Sequence, residues 1–169
     1  MKTPEHPIFL KSIKYIRSQL GFRGLDNVQQ SILERIVHSS GDLSLQSLLR
    51  FSPRACEDGI NSLKNGAKII TDTYMAEAAI APMAKRTINS DIQCILKMAP
   101  DSTNSHLITR SEIGMRNTWL DFEKKAQSLH DAPLVLIGSS PTALIALLDL
   151  IEAGHMIPSL IIGMPVGFI

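Results

Sequence analysis

The sequence predicts an α/β fold: a mainly parallel sheet covered by helices on both faces, preceded by further helices. Three observations carry this. From residue 67 onward, short strand-like runs alternate with helical stretches; those runs are apolar throughout; and before residue 67 the apolar residues recur at helical spacing. Alternation of this kind gives strand-helix-strand units, and runs without polar alternation belong to strands buried on both faces. At 169 residues the chain is the size of one ordinary domain, so 1–169 is expected to be a single domain.

Phe9, Ile13, Ile16 and Leu20 lie at three- and four-residue steps, which predicts a helix over 9–20 closed by Gly21. Asp26 is positioned to cap a second helix, "NVQQSILERIVHSS", that ends at Gly41 and carries His38 near its C-terminus. "DLSLQSLLRF" reads as helical, and Pro53 can open a helix running to Gly66, with Ser52 as its cap. Strands follow at 67–72, 91–96, 132–138 and 159–163, separated by the helical "TYMAEAAIAPMAKR", a long helix over about 109–130, and a helix over 141–153.

In parallel sheets ligands bind beyond the carboxyl ends of the strands. That rule picks out Asp72 to Met75, the segment after Leu96, Gly138 to Thr142, and Gly163 to Phe168. Pro141 opens a helix with Ser139 or Ser140 as cap, leaving amide donors and a positive dipole end for a carboxylate or phosphate. The chain then stops at "GMPVGFI". An apolar loop after the fourth strand leaves an edge that needs cover, so either the chain dimerises there or its C-terminal part is absent, and absence is the expectation.

Composition excludes several classes. A formal charge of +1 gives no summed field for nucleic acid or an anionic membrane, so any anion site is local. Asp149 and Glu152 interrupt the most apolar helix, which argues against a membrane span, and the start lacks a signal-peptide core. Cys56 and Cys94 form no paired motif, which fits a cytoplasmic chain. The five histidines are scattered without carboxylates at ligand spacing, so no metal is predicted. "GSSPT" does not match a serine nucleophile elbow, and no strand leads into GxGxxG or GxxxxGK.

Two constellations remain. His38 carries the side chain whose ordinary pKa lies nearest neutrality, at a helix end that favours its charged form; it can donate a proton, or merely cap the dipole and pair with Glu34 one turn earlier. "ITRS" places Thr109, Arg110 and Ser111 at a helix start, where Arg110 can grip a carboxylate or Thr109 or Ser111 can simply cap.

Taken in order, "RIVHSSGD", "GAKIITDTYM", "ITRS", "LIGSSPTAL" and "IIGMPVGF" resemble the precorrin-8X methylmutase (precorrin isomerase) family of cobalamin biosynthesis, from about Leu33 to Ile169. The resemblance implies a flavodoxin-like three-layer α/β/α sandwich, a homodimer, and an isomerase without cofactor. Such an enzyme moves a methyl group from carbon 11 to carbon 12 of a corrinoid, giving hydrogenobyrinic acid or its cobalt counterpart. It implies His38 as the catalytic acid. The acetates and propionates of the macrocycle would be held by Thr109, Arg110, Ser111, Ser139, Ser140 and Thr142, with Met75, Met164, Val166 and Phe168 as apolar contacts. Asp72 matches the acidic position after the first strand, where it can also cap the next helix. Three features depart from the family pattern: Ser139 and Ser140 replace Asn-Ala, Glu112 stands where small residues are usual, and the family's following strand and helix are missing. A non-catalytic corrinoid-binding remnant is the alternative expectation.

Overall fold

The computed structural model describes residues 5–21, 24–103, 107–126 and 132–165. The chain divides into two compact units, Met1–Cys56 and Glu57–Ile169.

In the first unit, α1 (Pro7–Gln19) and α2 (Asn27–Ser40) pack through Ile16, Leu33 and Val37, with Ile13, Leu20, Leu25 and Leu49 around them. The cap expected at Asp26 is a full capping box: Asp26 accepts from the amides of Val28 and Gln29, and the Gln29 side chain accepts from the Asp26 amide. Gly41 closes α2 in the left-handed conformation, φ 71°. The end of α1 differs from expectation, because the chain leaves through Leu20 in an extended conformation rather than through a glycine turn. The helix expected over "DLSLQSLLRF" shrinks to one turn, α3 (Leu45–Leu48), started where the Asp42 carboxylate accepts from the Ser44 amide. The helix expected from Pro53 begins two residues later as α4 (Ala55–Lys64), since Arg54 sits at φ 61° and breaks the helical path.

The second unit is a four-stranded parallel sheet: β1 (Ile69–Thr71), β2 (Ile92–Cys94), β3 (Leu134–Ile137) and β4 (Leu160–Gly163), in the order β2-β1-β3-β4. Its side chains alternate between two apolar layers. Ile69, Leu134, Ile92 and Leu160 pack with Leu63 of α4 and with Ile80 and Ala84 of α5 (Tyr74–Thr87). Ile70, Val135, Ile137 and Ile161 pack against α6 (Arg110–Lys125) and α7 (Pro141–Glu152) through Met115, Trp119, Ala143, Ala146 and Leu147. Helices thus lie on both faces, as strands buried on two sides require. The strand expected over 91–96 stops at Cys94, where a 3-10 turn (Ile95–Met98) brings Ile95 into the α6 layer. Of the helix expected over 109–130, the stretch 127–131 lies outside the described residues. Among the described residues β4 is an edge strand, with Ile162 39% and Met164 50% exposed.

The one tryptophan, Trp119, is wholly buried and donates from Nε1 to the Met156 carbonyl at 3.1 Å. One turn further along α6, Glu123 accepts from the Met156 amide (2.8 Å) and pairs with Nδ1 of His155 (2.7 Å), so α6 sets the path of the chain into β4.

Gly114 lets α6 approach the 3-10 turn: a Cβ there would lie 2.6 Å from the Ile95 carbonyl oxygen, which is backbone and cannot step aside. Alanine is ordinarily favoured over glycine in a helix by about 1 kcal/mol. Here Gly114→Ala is expected to destabilise instead, by about 1–3 kcal/mol, as read from the urea midpoint.

Candidate active site

His38 occupies the last turn of α2, exposed to solvent. Its Nδ1 is 2.8 Å from the Ser12 hydroxyl of α1, and its ring meets Phe9 edge-on, at 4.9 Å and 82°. Arg35 lies over the other ring of that pair, 5.1 Å from the Phe9 centroid, and is paired with Glu5. The two serines that follow His38 turn back to the helix, Ser39 Oγ donating to the Arg35 carbonyl and Ser40 Oγ to that of Ile36.

The expected pairing of His38 with Glu34 does not occur. Glu34 is 3% exposed and takes both fork positions of Arg17, at 2.7 Å each, with a further bond from Gln30 at 3.0 Å. A planar guanidinium matches both carboxylate oxygens at once, which an imidazole cannot. The Arg17 hydrogen bonds hold the Glu34 carboxyl below the usual glutamate range, outweighing its desolvation. A folded value below the unfolded one adds stability that is complete above about pH 4.3 and lost as pH falls through the folded value. Thermal melts of wild type and Glu34→Gln are therefore expected to differ most at neutral pH and to converge toward pH 3. A constant gap across that range would be the contrary result.

In the second unit the sheet order reverses between β1 and β3, and Asp72 and Gly138–Ser140 follow those two strands. Asp72 is fully buried. Its carboxylate accepts from the amides of Gly138 (3.1 Å), Ser139 (2.8 Å) and Ser140 (2.7 Å). The anion site expected at the start of α7 is therefore filled from within the protein. Asp72 does not cap α5 either, because Thr73 holds that place, accepting from Ala76.

The open cap choices resolve to Ser140 for α7, accepting from the Ala143 amide, and Thr109 for α6, accepting from that of Glu112. The hydroxyls of Thr109 and Thr142 meet at 2.7 Å, and Ser140 Oγ lies 3.3 Å from Thr142 Oγ1, so a chain of hydroxyls links the two helix starts. Arg110 is exposed, and its Nε donates to the Pro100 carbonyl. Ser111 is half-buried in the first turn of α6. Glu112 points along α6 to Arg116 (3.3 Å), which also binds Asp149 of α7 (2.8 Å). Met75 is 75% exposed on the first turn of α5 and Met164 half-exposed after β4, whereas Val166 and Phe168 lie outside the described residues. Burial is the leading reason that both Cys56 and Cys94 have raised thiol pKa values, so neither is primed as a nucleophile.

The sequence reading missed Ser12 and Arg17, and took Phe9 for a helix-packing residue with no part beside His38. All three lie on α1 before Leu33; Phe9 belongs to the apolar spacing that predicts the helix, while Ser12 and Arg17 belong to no spaced motif. The helical period of α1 was the one signal that pointed to them.

A parallel sheet in the order 2-1-3-4, layered by helices on both sides, places the chain among flavodoxin-like α/β proteins. Comparison narrows the class: the sequence model of the Precorrin-8X methylmutase family matches residues 7–169, and the chain belongs to that family. It is 34% identical to the Cobalt-precorrin-8 methylmutase of Synechocystis sp., over 98% of this chain and 78% of that protein. With the Precorrin-8X methylmutase of Pseudomonas aeruginosa the identity is 31%, over 96% and 74%. The crystal structure of precorrin-8X methyl mutase from Thermus thermophilus superposes with a TM-score of 0.78 at 28% identity, over 96% of this chain and 75% of that one.

Proposed function

We propose that this chain moves a methyl group from carbon 11 to the neighbouring carbon 12 of precorrin-8X, giving hydrogenobyrinic acid or its cobalt counterpart, with His38 as the proton donor. Family membership makes it an intramolecular methyl-transferring isomerase of cobalamin biosynthesis acting on a corrinoid, and no observation favours a binding-only role. Substrate and product are isomers, so the proton that His38 lends must be matched by one the macrocycle returns. Protonation draws electron density through the conjugated ring and favours the migrated product, a task that needs one poised acid and no cofactor.

The observation that carries the acid role is an exposed imidazole at a helix C-terminus, held by Ser12 and Phe9, while Glu34, one turn earlier, is engaged by Arg17 instead. In the second unit, the hydroxyls of Thr109, Ser111, Ser140 and Thr142 and the Arg110 guanidinium supply donors for peripheral carboxylates, while Ser139, whose Oγ donates to Asp72 at 3.4 Å, would contribute by shaping the turn. Met75, Met164, Val166 and Phe168 supply apolar contact. Asp72 serves this set by holding the turn before α7 rather than by touching the macrocycle. The whole chain would act as one functional domain, as a homodimer, in the cytoplasm; two free thiols fit a reducing compartment. Among the described residues no helix is long and apolar enough to cross a membrane.

Mixing the purified chain with precorrin-8X and following the absorption change to hydrogenobyrinic acid tests the reading. Conversion is expected. Tight binding of hydrogenobyrinic acid without conversion of precorrin-8X would overturn it.

A further inference from the structure

We infer that Ser12 is a positioning residue for the methyl shift: it holds Nδ1 of His38 so that the proton delivered to the corrinoid leaves from Nε2. The inference rests on the acid role proposed for His38 and goes beyond it, because α1 then belongs to the catalytic apparatus.

The geometry is specific. Ser12 Oγ lies 2.8 Å from Nδ1, Phe9 stands at 82° to the imidazole, and among the described residues Nε2 makes no hydrogen bond. Both restraining residues come from α1, three positions apart on one face. The Arg17–Glu34 fork ties that helix to α2 within the same unit. Two charged groups of α2 in the turn before His38 are already paired: Glu34 is engaged by Arg17, and Arg35 is paired with Glu5 above Phe9.

A hydroxyl suits this place because its neutral oxygen can accept from the ring nitrogen in either protonation state. In the imidazolium, Nδ1–H donates to Ser12 Oγ and Nε2–H is the bond that breaks. After transfer the neutral ring keeps its Nδ1–H, still donated to Ser12, and Nε2 holds the lone pair that takes back the proton released by the product. The ring thus stays in one orientation through both protonation states. A carboxylate at Ser12 would instead hold the imidazolium more tightly and resist the transfer.

The test is a cycle of Ser12→Ala, Ser12→Thr, His38→Gln and the double variant Ser12→Ala with His38→Gln, each assayed for conversion of precorrin-8X. Ser12→Ala is expected to lower kcat about 3- to 10-fold, the worth of one hydrogen bond, with KM unchanged. Threonine, which keeps the hydroxyl, should restore the rate. In the His38→Gln background, losing Ser12 should have no further effect, because a residue that acts through His38 has nothing left to act on. If Ser12→Ala slows both backgrounds equally, or raises KM alone, Ser12 acts elsewhere and the inference fails. If Ser12→Ala keeps the full wild-type rate, the inference fails while the acid role stands. Full activity of His38→Gln would instead remove the acid role itself.

Discussion

His38→Gln should lower turnover of precorrin-8X by about 100- to 10,000-fold, the usual range for a general acid, while affinity for hydrogenobyrinic acid changes little. Glutamine keeps the volume and a hydrogen-bonding end that can still meet Ser12, so folding is expected to survive; it cannot carry and release a proton near neutral pH. The exposed position of His38 removes any core-packing cost from the comparison. Single-turnover conversion, followed by absorbance beside an equilibrium titration with the product, separates chemistry from binding. Equal turnover by the two proteins would reject the acid role, and a parallel loss of product binding would make His38 a contact rather than an acid.

The largest expected effect on stability belongs to Asp72. Three amides that converge at the start of α7 have its carboxylate as their shared acceptor, 66 to 68 residues away in the chain, and the group is fully buried. Asp72→Ala would leave those half-buried donors without their shared acceptor. At about 1–3 kcal/mol for each buried unsatisfied donor, partly relieved by relaxation, the cost should reach about 3–5 kcal/mol. Asp72→Asn keeps one acceptor oxygen but turns an amino group toward the amides, and is expected to recover part of that loss. Urea unfolding followed by far-ultraviolet circular dichroism measures both. Added formate or acetate should raise the midpoint of Asp72→Ala selectively, by supplying the missing acceptor. A midpoint close to wild type would show that the turn is held by other means.

The parts of the fold legible in the sequence were those decided within a turn or two of chain. The Asp26 cap, the left-handed Gly41, Thr109 ahead of α6 and the four apolar strands all follow from local spacing and from which side chains can bond nearby amides. The stop of α1 at Leu20, the shortening of α3 and the curtailed β2 were not legible, because tertiary packing sets where those segments end. Partner choice was hidden for the same reason. Glu34 has His38 four residues ahead of it, yet Arg17 on another helix binds it more tightly; Asp72 adjoins Thr73 and α5, yet its bonds cross to the turn after β3. Among the site residues, sequence spacing found the positions beyond the strands, but it could not foresee that the carboxylate at one such position would satisfy the amides at another.

Burial of Trp119 beneath α7 has a practical consequence. The chain has a single indole and it lies buried in the unit that carries the sheet, so its emission is expected to lie to the blue and to report on that unit. The other unit contains no tryptophan to blur the signal. A ligand that tightens the sheet can thus be detected optically through one native side chain, without an attached dye.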